Sequence, residues 1–250
     1  MHYVFTDIHG DLKSWQALLN SPYNTKENTF IFLGDACDRG ENGYEIMKQM
    51  LKTPNLIYLK GNHEDMFVIA AREILKFKKQ ERLSLEEIQR LEIFELDPGN
   101  DFIFQAYSNG GESTLKAWIR DGMKKDILTK LDNLPCCYSW DKFDMCHAGV
   151  PIFIWDGIEH NSREFENECL WDRKHFVGSG EWFEDRVLIH GHTPTTSGLF
   201  TSNVWVNRDR KPIPIRYADC SKINLDTRSY KENHFWIYCL ETEKFERIDK

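Results

Sequence analysis

Phe30-Ile31-Phe32-Leu33-Gly34-Asp35-Ala36-Cys37-Asp38-Arg39-Gly40 sets four apolar residues against a polar tip bounded by glycines. A continuous apolar run of this length reads as a buried strand, and the glycine and carboxylates after it read as the loop at its end. Tyr44, Met47 and Leu51 then recur at helical spacing. The same unit lies on either side. Upstream, Tyr3 to Phe5 leads into Asp7-Ile8-His9-Gly10-Asp11, followed by Leu12, Trp15, Leu18 and Leu19 on one helical face, which Asn20-Ser21-Pro22 ends. Downstream, Asn55-Leu56-Ile57-Tyr58-Leu59 leads into Gly61-Asn62-His63-Glu64, with a helical pattern from Met66 to Phe77. Three successive strand, tip and helix units predict an α/β sheet with crossover helices.

From about Arg72 to Leu134 the pattern is mostly helical, broken at Asp97-Pro98-Gly99-Asn100 and at Asn109-Gly110-Gly111. We read it as a helical, cap-like insertion, 72–134, within a single domain, 1–250. Strand patterns return at Phe143–Cys146, Val187–Ile189, Val204–Val206, Lys222–Leu225 and Phe235–Leu240. The cations at Lys76, Lys78, Lys79, Lys124 and Lys125 read as solvated helix faces.

Composition narrows the class. The 250 residues are 41% hydrophobic and 29% charged, within the ordinary globular range. No stretch approaches the roughly 20 apolar residues that cross a bilayer, and the first residues carry no basic, apolar leader pattern. Seven scattered cysteines do not form a disulfide framework, so we expect a reducing cytoplasm and no membrane partner. A formal charge of −8 disfavours nucleic acid, which needs a basic face that neutralises several phosphates.

Oxygen and imidazole side chains follow strand ends five times: Asp7 and His9, Asp35 and Asp38, Asn62 and His63, His147, then His190 and His192. In open α/β sheets these loops form the ligand crevice, so residues far apart in sequence can meet there. Oxygen and nitrogen donors without thiolate suit Mn, Fe, Zn or Co better than a structural zinc cluster. An isolated Asp-x-His is more simply an Asx turn, and Asp35 or Asp38 alone a helix cap. Neither explains the whole set.

Asp7-Ile8-His9-Gly10, Gly34-Asp35-Ala36-Cys37-Asp38-Arg39-Gly40, Gly61-Asn62-His63-Glu64, His147-Ala148-Gly149 and Gly191-His192-Thr193-Pro194 resemble, in this order, the calcineurin-like metallophosphoesterases. The similarity is greatest to the phosphoprotein phosphatase branch, including small bacterial and bacteriophage Ser/Thr phosphatases. Asn109-Gly110-Gly111 through Thr114, Leu170-Trp171-Asp172-Arg173 and Asn224-Leu225-Asp226-Thr227 extend it over nearly the whole chain. The resemblance implies a four-layer α/β/β/α sandwich and two divalent metal ions, manganese first, with Fe, Zn, Co or Ni as alternatives. It implies Asp7, His9 and Asp35 as ligands of one ion, and Asp35, Asn62, His147 and His192 as ligands of the other. Asp35 would bridge, and a water shared by the ions would attack phosphorus. Arg39 and Arg173 match the family's phosphate-binding arginines. His63 matches the acid that protonates the leaving group, and Asp38 the carboxylate that orients it.

The chain departs from wider superfamily patterns at two places. Where the nuclease and phosphodiesterase branches carry a second histidine, Pro194 stands here, which favours the phosphatase branch and leaves His190 as a supporting residue. Where small bacterial relatives continue with Gly-Ala, Arg228-Ser229 follows Asp226-Thr227, which opens the question of substrate. Cys37 reads as a buried thiol rather than an oxidation switch, and the tryptophans as packing. The expected activity is metal-dependent hydrolysis of phosphomonoesters, with a phosphorylated protein or a small phosphoester as substrate. A dinucleoside polyphosphate hydrolase is the alternative on the same fold, and a non-catalytic phosphate-binding scaffold the alternative from another class.

Overall fold

A computed structural model describes residues 1–97, 99–149, 162–173, 185–198 and 207–250. The three units read from the sequence form β1 (His2–Phe5), α1 (Leu12–Asn20), β2 (Thr29–Phe32), α2 (Gly43–Met50), β3 (Leu56–Tyr58) and α3 (Asn62–Gln80). Four further helices follow: α4 (Leu85–Arg90), α5 (Asp101–Ala106), α6 (Glu112–Arg120) and α7 (Lys125–Asp132). The remainder gives β4 (Cys137–Trp140), β5 (Phe143–Cys146), α8 (Arg163–Trp171), β6 (Val187–His190), β7 (Ile215–Tyr217), β8 (Lys222–Asn224), β9 (His234–Cys239) and β10 (Lys244–Asp249). The strand expected at Val204–Val206 lies outside the described residues.

Among the described residues the strands make two five-stranded sheets, ordered β10-β9-β1-β2-β3 and β4-β5-β6-β8-β7. In the first, β1, β2 and β3 are parallel, and β9 joins β1 antiparallel. In the second, β5, β6 and β8 are parallel between antiparallel edges β4 and β7.

Alternation along each strand builds the layers, because successive side chains point to opposite faces. Val4, Ile31 and Tyr238 face the second sheet and meet Phe143, Met145, Ile189 and Ile223 in the core between sheets. Their neighbours Tyr3, Phe5, Phe30, Phe32 and Ile237 face the other way, against Trp15, Met47, Phe67 and Trp118 of the helices. On the far side of the second sheet, Cys146 and Leu188 pack on Phe165 and Cys169 of α8. The result is the expected four layers of helix, sheet, sheet and helix.

The described elements within 72–134 are helical, and Ile88, Ile103, Leu115, Trp118 and Leu131 pack in the same apolar cluster as Phe5 and Phe32. Trp118 is fully buried and donates its indole N–H to the Lys124 carbonyl. Trp118→Ala is therefore expected to destabilise the protein by about 3–5 kcal/mol, the usual cost of truncating a buried aromatic side chain. Denaturant unfolding monitored at the first sheet and at the helices should show one shared transition. Independent melting of the helices would contradict a common core.

Candidate active site

The loops beyond β1, β2, β3, β5 and β6 meet at one edge of the sandwich. Backbone bonds from Asp7 N to Gly34 O (3.1 Å) and from His9 N to Asp35 O (3.0 Å) tie the first two loops together. Asp7, His9, Asp35 and His192 all lie in the left-handed backbone region, with φ of 50°, 42°, 66° and 64°. Non-glycine residues rarely sit there, and such strain concentrates at functional sites. Gly191 lets the His192 loop approach, since a Cβ at that position would come within 2.2 Å of Asp7 Oδ2.

Two donor groups share Asp35. His9, Asp35 and His63 form one, and Asp35, His147 and His192 the other. Asp35 Oδ2 is 3.6 Å from His9 Nε2, and Oδ1 is 3.4 Å from His147 Nε2. Asp7 Oδ1 joins the first group at 3.7 Å from His9 Nε2. Asn62 Oδ1 joins the second, 2.8 Å from His147 Nε2 and 3.0 Å from His192 Nδ1. The six residues expected as metal ligands are thus brought together around Asp35, and His63 lies among them in the first group.

Outer hydrogen bonds orient the imidazoles. His9 Nδ1 bonds the Cys37 carbonyl at 3.1 Å and His147 Nδ1 the Leu33 carbonyl at 2.9 Å, so each Nε2 is left facing the cluster as an acceptor. Burial, together with neighbouring His63, pushes His9 well below its ordinary pKa; burial, His147 and Arg173 do the same to His192. Burial also lowers His147. Neutral imidazoles are the form that binds a metal.

The carboxylates report the complementary need. Burial, then Asp226 and Asp35, push Asp7 well above the usual carboxylate range. Burial raises Asp226 to about 6. Asp7 Oδ1 and His192 Nε2 are buried without a hydrogen-bond partner among the described residues. Buried anions and orphaned acceptors cost free energy unless a cation satisfies them. The donor set, of oxygens and neutral imidazoles without thiolate, fits two hard or borderline divalent ions.

His63 stands apart in its bonding. Its Nδ1 lies 2.7 Å from Asp38 Oδ2, and Arg39 Nη2 donates to its Nε2 at 3.2 Å. Burial opposes the cation, but Asp35 and Asp38 outweigh it and raise the His63 pKa. The helical layer braces this corner: Asp38 N donates to Thr114 Oγ1 (3.1 Å) and Arg39 N to Gly110 O (2.9 Å). The chain kinks between α5 and α6 at Asn109-Gly110-Gly111, where the sequence predicted a break, with Gly110 in the left-handed region at φ 89°, and the kink reaches the Arg39 loop. On the opposite flank, Arg173 donates Nε–H to Thr193 Oγ1 at 3.2 Å, and Trp171 sets its ring edge-on to His192, centroids 6.0 Å apart.

His190 does not follow His192 into the cluster. Its Nε2 bonds Tyr217 OH at 2.7 Å, because Gly191 and the left-handed His192 end the strand alternation that would place both side chains on one face.

Three residues at the site carried no assigned role in the sequence. Glu64 is fully buried and accepts from Asp35 N, Gly61 N, Ala36 N and Tyr58 OH at 2.7–2.8 Å, clamping the loop that holds Asp35. The signal was a glutamate three residues past Gly61, the spacing of a capping box. Asp226 accepts from Arg228 N and adds a further buried carboxylate. Tyr230 places its ring edge on His9 and its hydroxyl on Arg39 Nη1, and no periodicity marks it.

A symmetrical bis(5'-nucleosyl)-tetraphosphatase of Wigglesworthia glossinidia brevipalpis is 26% identical over 179 residues, 70% of this chain and 54% of that protein. The chain therefore spans about half the length of that curated relative. A crystal structure assigned as a diadenosine tetraphosphatase superposes with a TM-score of 0.58 at 14% identity, covering 99% of this chain and 92% of that one. A serine/threonine phosphatase of Saccharomyces cerevisiae gives 0.52 at 14% identity, over 100% of this chain and 79% of that one. These two likenesses speak for the fold. The sequence profile of the calcineurin-like phosphoesterases matches residues 3–212, most of the chain and every loop that builds the cluster, and this chain belongs to that family.

Proposed function

We propose that the protein hydrolyses phosphomonoesters with a dinuclear metal centre, in the manner of a Ser/Thr phosphoprotein phosphatase. The observation that carries the reading is the pair of donor groups sharing Asp35, with His63 of the first group bonded through Nδ1 to the Asp38 carboxylate. Asp7, His9 and Asp35 would hold one ion, and Asp35, Asn62, His147 and His192 the other. When bound, the pair supplies Lewis acidity and an activated water. The chain's own residues do the rest. Arg39 and Arg173 flank the cluster and bind phosphate oxygens; His63 passes a proton to the departing alkoxide; Asp38 fixes its tautomer. Manganese is the first choice of metal, and the setting we propose is cytoplasmic; no described helix is long and apolar enough to cross a membrane. A scaffold that only binds phosphate would have no use for a leaving-group acid.

A second reading is favoured by the curated relative: hydrolysis of a dinucleoside polyphosphate. A manganese-supplemented turnover panel of phosphopeptide, diadenosine tetraphosphate and a phosphodiester separates the readings. Fastest turnover of the phosphopeptide supports the first, and fastest turnover of the dinucleotide replaces it with the second.

Arg39 offers a narrower test. Its guanidinium already spans Tyr230 OH and His63 Nε2, and a planar fork holds two phosphate oxygens where an ammonium holds one. Arg39→Lys is expected to cost about 1.5–3 kcal/mol, the range for a hydrogen bond to a charged group, read as a fall in kcat/KM. Unchanged kinetics would remove Arg39 from the phosphate site.

A further inference from the structure

The Arg39 side chain is held at two points. Its backbone N–H donates to Gly110 O at 2.9 Å, with φ 61°, which ties the main chain to the kink between α5 and α6. Its guanidinium donates Nη1–H to Tyr230 OH at 3.3 Å and Nη2–H to His63 Nε2 at 3.2 Å, and its Cζ lies 5.5 Å from the centre of the Tyr230 ring. We propose that Tyr230 is a positioning residue: it holds the Arg39 guanidinium beside the metal cluster in the free protein, and stays its anchor when the substrate phosphate replaces His63 as the partner of Nη2.

The turn that carries Tyr230 is itself braced. Ser229–Lys231 form a single 3-10 turn, entered through Arg228 in the left-handed region at φ 57°. Ser229 Oγ donates to Asp7 O at 3.0 Å, in the loop after β1. The buried Lys250 ammonium donates to Ser229 O at 2.5 Å, to Glu232 O at 2.7 Å and to the Asp11 carboxylate. The Tyr230 ring meets the His9 ring edge-on, with centroids 5.1 Å apart. Tyr230 thus stands on a turn fastened to the loop that supplies Asp7 and His9. His9, Gly10, Arg39, Gly40, Asn42 and Tyr230 line a cleft of about 440 Å³ open to solvent, and a phosphoester entering it meets the guanidinium and the phenol together.

Pinning pays in binding. A long arginine side chain loses much rotamer freedom when it is ordered, and one already ordered in the free protein spares the ligand that cost. Tyr230 and His63 take only part of the guanidinium fork, which leaves further N–H groups for phosphate oxygens. A phosphate oxygen is charged and accepts more strongly than a neutral imidazole, so it draws Nη2 from His63. The phenol bonds the other terminal nitrogen and keeps its contact. Substrate and transition state gain equally from such ordering, so its loss falls on KM and spares kcat.

The role rests on the proposed phosphoesterase reading, and one experiment separates the two. Wild type, Tyr230→Phe, Arg39→Ala and the double variant, each loaded with manganese, are compared for turnover of an aryl phosphate and for binding of inorganic phosphate by calorimetry. Phenylalanine keeps the ring against His9 and removes only the hydroxyl, so metal content should match wild type. Tyr230→Phe should raise KM and weaken phosphate binding by roughly tenfold, the lower end for a hydrogen bond to a charged group, with kcat unchanged. In the Arg39→Ala background the same substitution should change neither, because Tyr230 acts through Arg39. An equal loss in both backgrounds, no loss in either, a fall in kcat with KM unchanged, or a fall in metal content overturns the role. Any of these with the wild type turning over phosphoesters leaves the functional reading in place. A protein inactive on every phosphoester that still binds phosphate, with Tyr230→Phe costly only beside Arg39, refutes that reading and leaves Tyr230 as the anchor. A wild type that neither hydrolyses phosphoesters nor binds phosphate overturns both.

Discussion

Asp35→Ala is expected to lose bound metal and nearly all turnover together. Its two carboxylate oxygens reach opposite sides of the cluster, toward His9 on one and His147 on the other, so one substitution opens both donor groups. The loss should be at least the ~10²–10³-fold seen when one donor to a developing anion is removed. Metal analysis of the dialysed protein should fall from two equivalents toward none. Stability supplies a second readout. A ligand that binds only the folded state stabilises it by about 2.7 kcal/mol at 100 times its Kd. For a chain of this size that is a rise in Tm of roughly 5–11 °C, at about 2–4 °C per kcal/mol. Wild type should show this rise on adding manganese, and Asp35→Ala should not. The metal-free variant should itself be less stable than metal-free wild type, because burial of the Asp35 anion is outweighed by the His147, His63 and His9 imidazoles, which lower its pKa, and its Oδ1 accepts from His63 N. Wild-type activity in Asp35→Ala would end the dinuclear reading.

What made this centre legible was the coincidence of two patterns. Strands β1, β2, β3, β5 and β6 are mainly apolar, and the ligand candidates stand in the loops directly after them, so finding the strands also found the loops. Three of the edge strands, β4, β7 and β10, were not legible. β4 reads Cys-Tyr-Ser-Trp, β7 is three residues with a central arginine, and β10 is Lys-Phe-Glu-Arg-Ile-Asp, with four of its six residues charged. Edges need solubility more than burial, so hydrophobic pattern fails there for a physical reason. Boundaries shifted where the chemistry sits: α3 begins at Asn62, ahead of the apolar pattern at Met66, because Gly61 and the Glu64 carboxylate cap a first turn made of site residues. Glu64 and Asp226 were visible as letters in their motifs, but their roles depend on what folds against them. Tyr230 had no sequence signal, since its ring acts through contacts with His9 and Arg39 that are 221 and 191 residues away.

His63→Gln tests the part of the reading that separates catalysis from metal binding. The Asp38 carboxylate accepts from Nδ1 and so leaves Nε2 as the atom that gains and loses a proton. In the structure Arg39 Nη2 donates to that same Nε2, so a substrate phosphate that draws the guanidinium away also frees Nε2 to carry a proton. Glutamine retains a hydrogen-bonding amide but has no proton to give at neutral pH. Loss of a positioned general acid typically costs 10²–10⁴-fold, and it falls on substrates whose leaving group needs protonation. Alkyl and seryl phosphates should therefore slow by about that factor, while aryl phosphates with acidic phenols slow much less; the dependence of rate on leaving-group pKa should steepen. Metal content should remain at two equivalents. His63 also lies within one donor group, with Nε2 3.7 Å from Asp35 Oδ2, so the opposite result has a definite meaning. Equal losses on both substrate classes, accompanied by loss of metal, would move His63 from acid to ligand and leave Asp38 as the carboxylate that orients it.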